Sequence, residues 1–232
     1  MLSALVTGGG SGVGRAVTKH LVQAGWRVAI LGRRAEALEA TVALAPNRIR
    51  AEVCDIVDPD AVAAVRDRLQ ADWSGLDAVV NAAGTNIPVR SWTQVTPADF
   101  REVIEINLLG VFHVTSACLP LMAGREGATV VTIISDAGLL ANAKAGASYV
   151  ASKFGATGLV ESLNAELRGQ GIRSCGIFPG DIDTDLLNRR PVPPDAAARA
   201  LMLQPDDVAA CVMLAITLPA RAVVEKLLVR PR

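Results

Sequence analysis

Thr7-Gly8-Gly9-Gly10-Ser11-Gly12-Val13-Gly14-Arg15 decides the fold. It follows the apolar run 2–7 and leads into segment 11–24, whose apolar residues recur with helical period and stop at Gly25. A strand that passes through glycines into a helix leaves backbone N–H groups and the positive helix end facing outward, where a pyrophosphate can sit. Side chains there would block close approach of the ligand. The spacing is not G-x-G-x-x-G, because Val13 stands where the third glycine belongs, and no Gly-Lys-Ser/Thr follows to make a P-loop. Gly10-x-Gly12-x-Gly14 would suit a methyl-donor site, but the next strand ends Leu31-Gly32-Arg33, with no acid for ribose hydroxyls. The matching pattern is T-G-x-x-x-G-x-G, carried by Thr7, Gly8, Gly12 and Gly14.

Outward from this turn, short apolar runs alternate with helical segments. Strands are expected at 2–7, 27–31, 48–54, 77–81, 128–134, 172–178 and 223–229. Helices are expected at 11–24, 34–44, 58–73, 97–121, 148–168 and 205–218. Seven continuous apolar strands alternating with helices imply α/β architecture, a doubly wound parallel sheet covered on both faces. The chain has 232 residues, no repeat and no linker-like break, so residues 1–232 are expected to form one domain. The irregular stretch is 181–199, with Arg189-Arg190-Pro191-Val192-Pro193-Pro194. It lies at the carboxyl end of a strand, where open α/β sheets carry ligand-closing loops.

Composition narrows the function. Formal net charge is zero and aromatics are 3%, which argues against nucleic acid or an anionic membrane as partner. No apolar run is expected to reach the roughly 20 residues of a spanning helix. Cys54, Cys118, Cys175 and Cys211 are far apart, and His20 and His113 are isolated, so neither a disulfide framework nor a metal site is expected. Reduced cysteines fit a cytoplasmic protein.

The single tyrosine, Tyr149, is followed by Lys153, and the i, i+4 spacing puts both on one helix face. Tyrosine titrates near about 10. A neighbouring ammonium is expected to lower that value and make the pair a general acid/base. Ser135 ends the strand before this helix, and Asn81-Ala82-Ala83-Gly84 ends strand four. Asn107 interrupts an apolar stripe of Ile104, Ile106, Leu108 and Leu109, an unfavourable place for asparagine unless its amide is used.

Together these residues resemble the short-chain dehydrogenase/reductase family over the whole chain. The family's glycine motif matches 7–14, its adenine-site acid matches Asp55 beside Ile56, and its N-[NA]-A-G motif matches Asn81, Ala82 and Gly84. Its P-G-x-x-x-T motif matches Pro179, Gly180 and Thr184, with Ile182 inside it. The resemblance implies a Rossmann-type fold and a catalytic set of Asn107, Ser135, Tyr149 and Lys153. It further implies that Gly8, Gly10, Ser11, Gly12, Val13, Gly14, Arg33, Arg34 and the motif residues above, with Tyr149 and Lys153, hold a nicotinamide dinucleotide. In that scheme Ser135 binds the substrate oxygen and Tyr149 moves its proton. Lys153 holds the nicotinamide ribose, and Asn107 orders a proton-relaying water. Two departures stand out. The interval from Ser135 to Tyr149 is one residue longer than the commonest family spacing, which places the extra residue in 139–147, and Asp136 replaces a small or apolar residue.

Arg33 and Arg34, with no acid before Glu36, favour NADP(H) over NAD(H), since a guanidinium grips a 2′-phosphate that an acid would repel. Ser11 stands where many NADP-specific relatives carry a second basic residue. The expected partner is a small alcohol or ketone. Apolar residues on several faces of helices 97–121 and 148–168 predict a homotetramer. A dinucleotide-binding sensor or scaffold that kept the fold without the chemistry is the alternative.

Overall fold

Strand β1 (Ser3–Thr7) is buried along its whole length, and its side chains divide between the two sheet faces. Ala4 and Val6 join one core, Leu5 the other. Strands β2 (Arg27–Gly32) and β4 (Ala78–Asn81) divide in the same way, so each apolar run fills two cores at once. The computed structural model describes all residues, 1–232. With β3 (Ile49–Val53), β5 (Thr129–Ile133), β6 (Arg173–Pro179) and β7 (Lys226–Val229), the strands form one parallel sheet in the order β3-β2-β1-β4-β5-β6-β7.

Helices α1 (Gly12–Gln23), α2 (Ala35–Val42) and α8 (Pro205–Thr217) cover one face. Helices α3 (Pro59–Asp72), α4 (Pro97–Ile104), α5 (Gly110–Met122) and α6 (Ala147–Leu167) belong to the other, where α3 packs on α5 and α4 on α6. The chain leaves β1 towards β2 and β3, then returns to the far side of β1 as β4. That reversal opens a crevice between the carboxyl ends of β1 and β4, the place where such sheets bind ligands.

Three expectations are corrected. First, segment 181–199 is not wholly irregular. It holds a 3-10 turn, Asp185–Arg189, and begins a short helix, α7 (Ala196–Ala200), whose Asp195 cap accepts from the Ala198 N–H at 2.8 Å. Second, the long helix is interrupted by a π turn at Glu105–Leu109, centred on Asn107. Third, Pro97–Met122 forms a helical run of 26 residues that by length and composition is enough to cross a membrane. Its charges, Asp99, Arg101, Glu102 and Glu105, all lie in the first part, leaving 106–122 uncharged. Val114, Cys118, Leu121 and Met122 of this run are core residues against the sheet, while only 33% of its apolar window is buried.

Candidate active site

A cleft of about 520 Å³ opens at the β1/β4 crevice. Gly8, Gly10, Ser11, Gly12 and Val13 form its floor at the end of β1. Arg33 and Arg34 line it beyond β2, Asp55 and Ile56 beyond β3, and Ala82 and Gly84 beyond β4. Pro179, Gly180, Ile182 and Thr184 close the side beyond β6. Gly8 adopts φ +67°, a conformation that favours glycine. Gly14 faces away from the cleft. A Cβ there would stand 2.3 Å from the Gly8 carbonyl oxygen, so this glycine lets α1 pack directly on the turn. Thr7 ties the turn to the neighbouring loop, its hydroxyl accepting from the N–H groups of Ala82 and Ala83 at 3.0 Å each.

The cradle fits a dinucleotide diphosphate. Helices α3 and α4 cap their first turns with Asp58 and Thr96, whereas α1 has no side-chain cap and no acid in its first turn. Its N–H groups therefore remain available at the cleft floor. Arg33 lies 3.9 Å from Asp55 in a loose pair, with both side chains largely open to solvent. Such a pair is weak enough for the guanidinium to take another anion.

Two other expected cofactor and catalytic residues support the cleft without lining it. Asn81 is buried beneath the floor, where its amide donates to Thr115 Oγ1 at 3.0 Å. Asn107 accepts from the Thr85 N–H at 2.8 Å and donates to the Thr85 carbonyl at 2.9 Å and Ser152 Oγ at 3.1 Å. Both amide hydrogens are taken by protein acceptors. The amide joins the loop after β4 to α6.

Ser135, Tyr149 and Lys153 meet on one wall of the cleft. The turn after Ser135, Asp136–Gly138, lies flush on α6, since a Cβ at Gly138 would stand 2.9 Å from the Lys153 carbonyl. Thr157 locks this contact by donating to the Gly138 carbonyl at 3.1 Å. The Ser135 hydroxyl accepts from the Ala137 N–H at 3.1 Å and lies 3.3 Å from Asp136 Oδ1. Asp136 in turn pairs with Arg230 at 3.4 Å.

The electrostatics correct the simple tyrosine–lysine picture. Desolvation pushes the Tyr149 phenol up to about 12, while the nearby Ser135 hydroxyl and the charges of Arg90 and Arg190 pull the other way and Asp136 adds to the rise. Lys153 Nζ is 5.4 Å from the ring centroid and donates to the Ile133 carbonyl at 3.1 Å. Burial lowers its own pKa to about 8. In the protein alone, burial outweighs any lysine effect, and the cations acting on the phenol are arginines.

Arg90, Arg190 and the cleft-lining Arg189 were not singled out as site residues in the sequence. Arg90 donates to the carbonyls of Ile87, Lys144 and Arg189 at 2.6, 3.1 and 3.2 Å. Arg189 lines the cleft and donates to Thr85 Oγ1 at 2.8 Å. The only signal was the Arg189-Arg190 doublet in an otherwise proline-rich stretch. Nothing local distinguishes Arg90.

Comparisons agree with the geometry. Residues 3–192 match the family model described as short chain dehydrogenase. Sulfoacetaldehyde reductase 2 of Chromohalobacter salexigens is 33% identical over 235 residues, covering 98% of this chain and 93% of that protein. The closed form of a serine dehydrogenase complexed with NADP+ superposes with TM-score 0.91 at 28% identity, covering 99% of this chain and 95% of the other. An alcohol dehydrogenase from the archaeon Thermococcus sibiricus, complexed with 5-hydroxy-NADP, gives TM-score 0.87 at 26% identity, covering 100% and 97%. Glycine turn, sheet order, shared cleft and whole-length similarity lead to one conclusion: this chain belongs to the short-chain dehydrogenases.

Proposed function

We propose that this enzyme moves a hydride between NADP(H) and a small carbonyl or alcohol substrate, with Tyr149 as the proton donor and acceptor. The observation that carries this reading is the convergence of Ser135, Tyr149 and Lys153 on the wall of the cleft that also holds the uncapped glycine turn and Arg33. The bound nicotinamide supplies or accepts the hydride. Arg33 and Arg34 at the end of β2 support a preference for the 2′-phosphate, in keeping with the NADP-type ligands of the two structural relatives. Gly8, Gly10, Ser11, Gly12 and Val13 would hold the diphosphate, and Asp55 and Ile56 the adenine side.

In reduction, the Tyr149 hydroxyl gives its proton to the substrate oxygen, and Ser135 donates a hydrogen bond to the same oxygen as charge develops there. Desolvation keeps the phenol protonated at neutral pH, the form needed for this step. In oxidation the phenolate must form, and Arg90 and Arg190 stabilise it. Lys153 would hold the nicotinamide ribose. Asn107 positions the Thr85 loop and α6 against each other. Residues 1–232 act as one domain, with 181–199 over the substrate. Zero net charge and four free cysteines support a small-molecule partner and a reduced, cytoplasmic setting.

The test uses two variants in one steady-state assay. Tyr149→Phe should bind NADPH by fluorescence titration and lose roughly 10²-fold or more in kcat. Arg33→Ala should lower kcat/KM for NADP about tenfold relative to NAD. Activity of Tyr149→Phe within about tenfold of wild type refutes the proton-transfer assignment. A wild-type preference for NAD refutes the cofactor assignment.

A further inference from the structure

Charges on and next to the cleft wall do not balance: Arg189 lines the wall, and Arg90 is bonded to the Arg189 carbonyl. Asp136 has Arg230, Asp181 has Arg190, and Asp183 has Arg199. Arg90 and Arg189 have no carboxylate partner and donate only to carbonyls and a hydroxyl. Asp185, also in the wall, follows Thr184, whose side chain lies over Gly12 at the diphosphate end.

Arg90 is held by three bonds, and the exposed Arg189 is tethered by one. A Cβ at Gly146, the residue capping α6, would stand 2.7 Å from Arg90 Cβ, so Arg90 is wedged against the start of the helix that carries Tyr149. Three of its five N–H groups are used, leaving two. The Arg189 guanidinium makes one bond, to Thr85, whose backbone Asn107 clamps. The two are linked, because Arg90 donates to the Arg189 carbonyl at 3.2 Å. Burial and the nearby Arg190 charge make the Arg90 cation less favourable than an ordinary arginine. A desolvated, pre-positioned guanidinium with donors to spare is suited to a planar or tetrahedral oxyanion.

We infer that the substrate carries an oxyanion head group, a carboxylate or a sulfonate, which Arg90 and Arg189 hold while the carbonyl faces Ser135 and Tyr149. This deepens the hydride-transfer reading and rests on it. The anion anchors one end of a short molecule, so orientation at the reacting carbon comes from charge and not from apolar surface.

Matched alcohols test it: 3-hydroxypropanoate against 1-propanol for the carboxylate, and 2-hydroxyethanesulfonate against ethanol for the sulfonate, each with NADP+. In wild type at least one anionic member should exceed its neutral partner about tenfold or more in kcat/KM, and the better pair names the head group. Arg189→Met and Arg90→Met should each shrink that ratio roughly 10- to 100-fold, and Arg189→Lys should restore part of it. Arg90 also cross-links loops, so Arg189→Met decides the matter if Arg90→Met fails to fold. Calorimetric titration of malonate, which has no group to oxidise, gives a readout independent of turnover. It should bind wild type and bind Arg189→Met at least about tenfold more weakly. Equal use of neutral and anionic alcohols, a ratio indifferent to Arg189, or a loss confined to NADP+ affinity overturns the inference. If no alcohol turns over, the hydride-transfer reading has failed, and the malonate titration still judges the anion site.

Discussion

Lys153 is 5% exposed, and the Ile133 carbonyl at 3.1 Å is its one hydrogen-bond partner. Burial lowers its pKa from 10.5 to about 8, so below pH 8 the folded protein carries the full cost of a desolvated ammonium. As pH rises from 8 towards 10.5 the folded state has already lost the proton while the unfolded chain still binds it, and the cost fades. The linkage is worth about 3 kcal/mol, less about 1 kcal/mol for the hydrogen bond. Lys153→Met should therefore stabilise the chain by about 2 kcal/mol at pH 7, with the gain lost by pH 10.5, where the missing hydrogen bond leaves the variant about 1 kcal/mol less stable. Urea unfolding without added nucleotide measures it. Cys54, Cys118 and Cys175, held up to about 11, 12 and 12 by burial, destabilise wild type and variant alike in alkali, so the difference isolates the lysine. A gain that is equal at both pH values would show that the lysine is not strained by burial.

At the scale of elements, β6 reads in the sequence as an apolar run, yet its first residue, Arg173, is 4% exposed. Arg173 donates to Thr129 Oγ1 at 3.0 Å, to the Gly127 carbonyl at 2.8 Å, and to the carbonyls of Leu218, Pro219 and Ala222 at 3.1, 3.1 and 2.7 Å. It thereby fastens the end of α8 and the approach to β7 onto β5 and β6. Burial lowers its pKa, but the ring of carbonyls satisfies the cation. Arg173→Met should cost about 3 kcal/mol or more, because several buried acceptors lose their donor together. Thermal unfolding should fall, and hydrogen exchange should rise first near 216–222. An unchanged melting temperature would show that the network contributes nothing. The partners lie more than forty residues away from Arg173 in sequence, so no local pattern could reveal them. The π turn is different. Asn107 in an apolar stripe announced an amide in use, but not a π turn, because that depends on where Thr85 and Ser152 arrive.

Over the whole molecule, the helices that cover the α4/α6 side leave apolar residues outward. Phe112 is 52% exposed, Phe154 44% and Leu109 42%, on α5, α6 and the π turn. A patch of this kind on long helices favours burial against another copy with closed symmetry. The expected state is a homotetramer, and light scattering at micromolar concentration checks it. Phe112→Glu should shift the mass to a smaller species while circular dichroism stays that of the folded chain. A wild-type monomer at that concentration would refute the assembly.

Strand and helix order, the glycine turn and the residues that meet at the cleft were legible in the sequence because each depends on neighbours within a few positions: an apolar run, a glycine spacing, an i, i+4 pair. Tertiary structure decided what depends on distant neighbours. It withdrew Gly14, Asn81 and Asn107 from the cleft wall and made them supports. It set the burial and the arginine charges that act on the Tyr149 phenol. It also brought the charge of Arg90, remote in sequence, within reach of that phenol, because desolvation and through-space charge are properties of the folded neighbourhood and have no period along the chain.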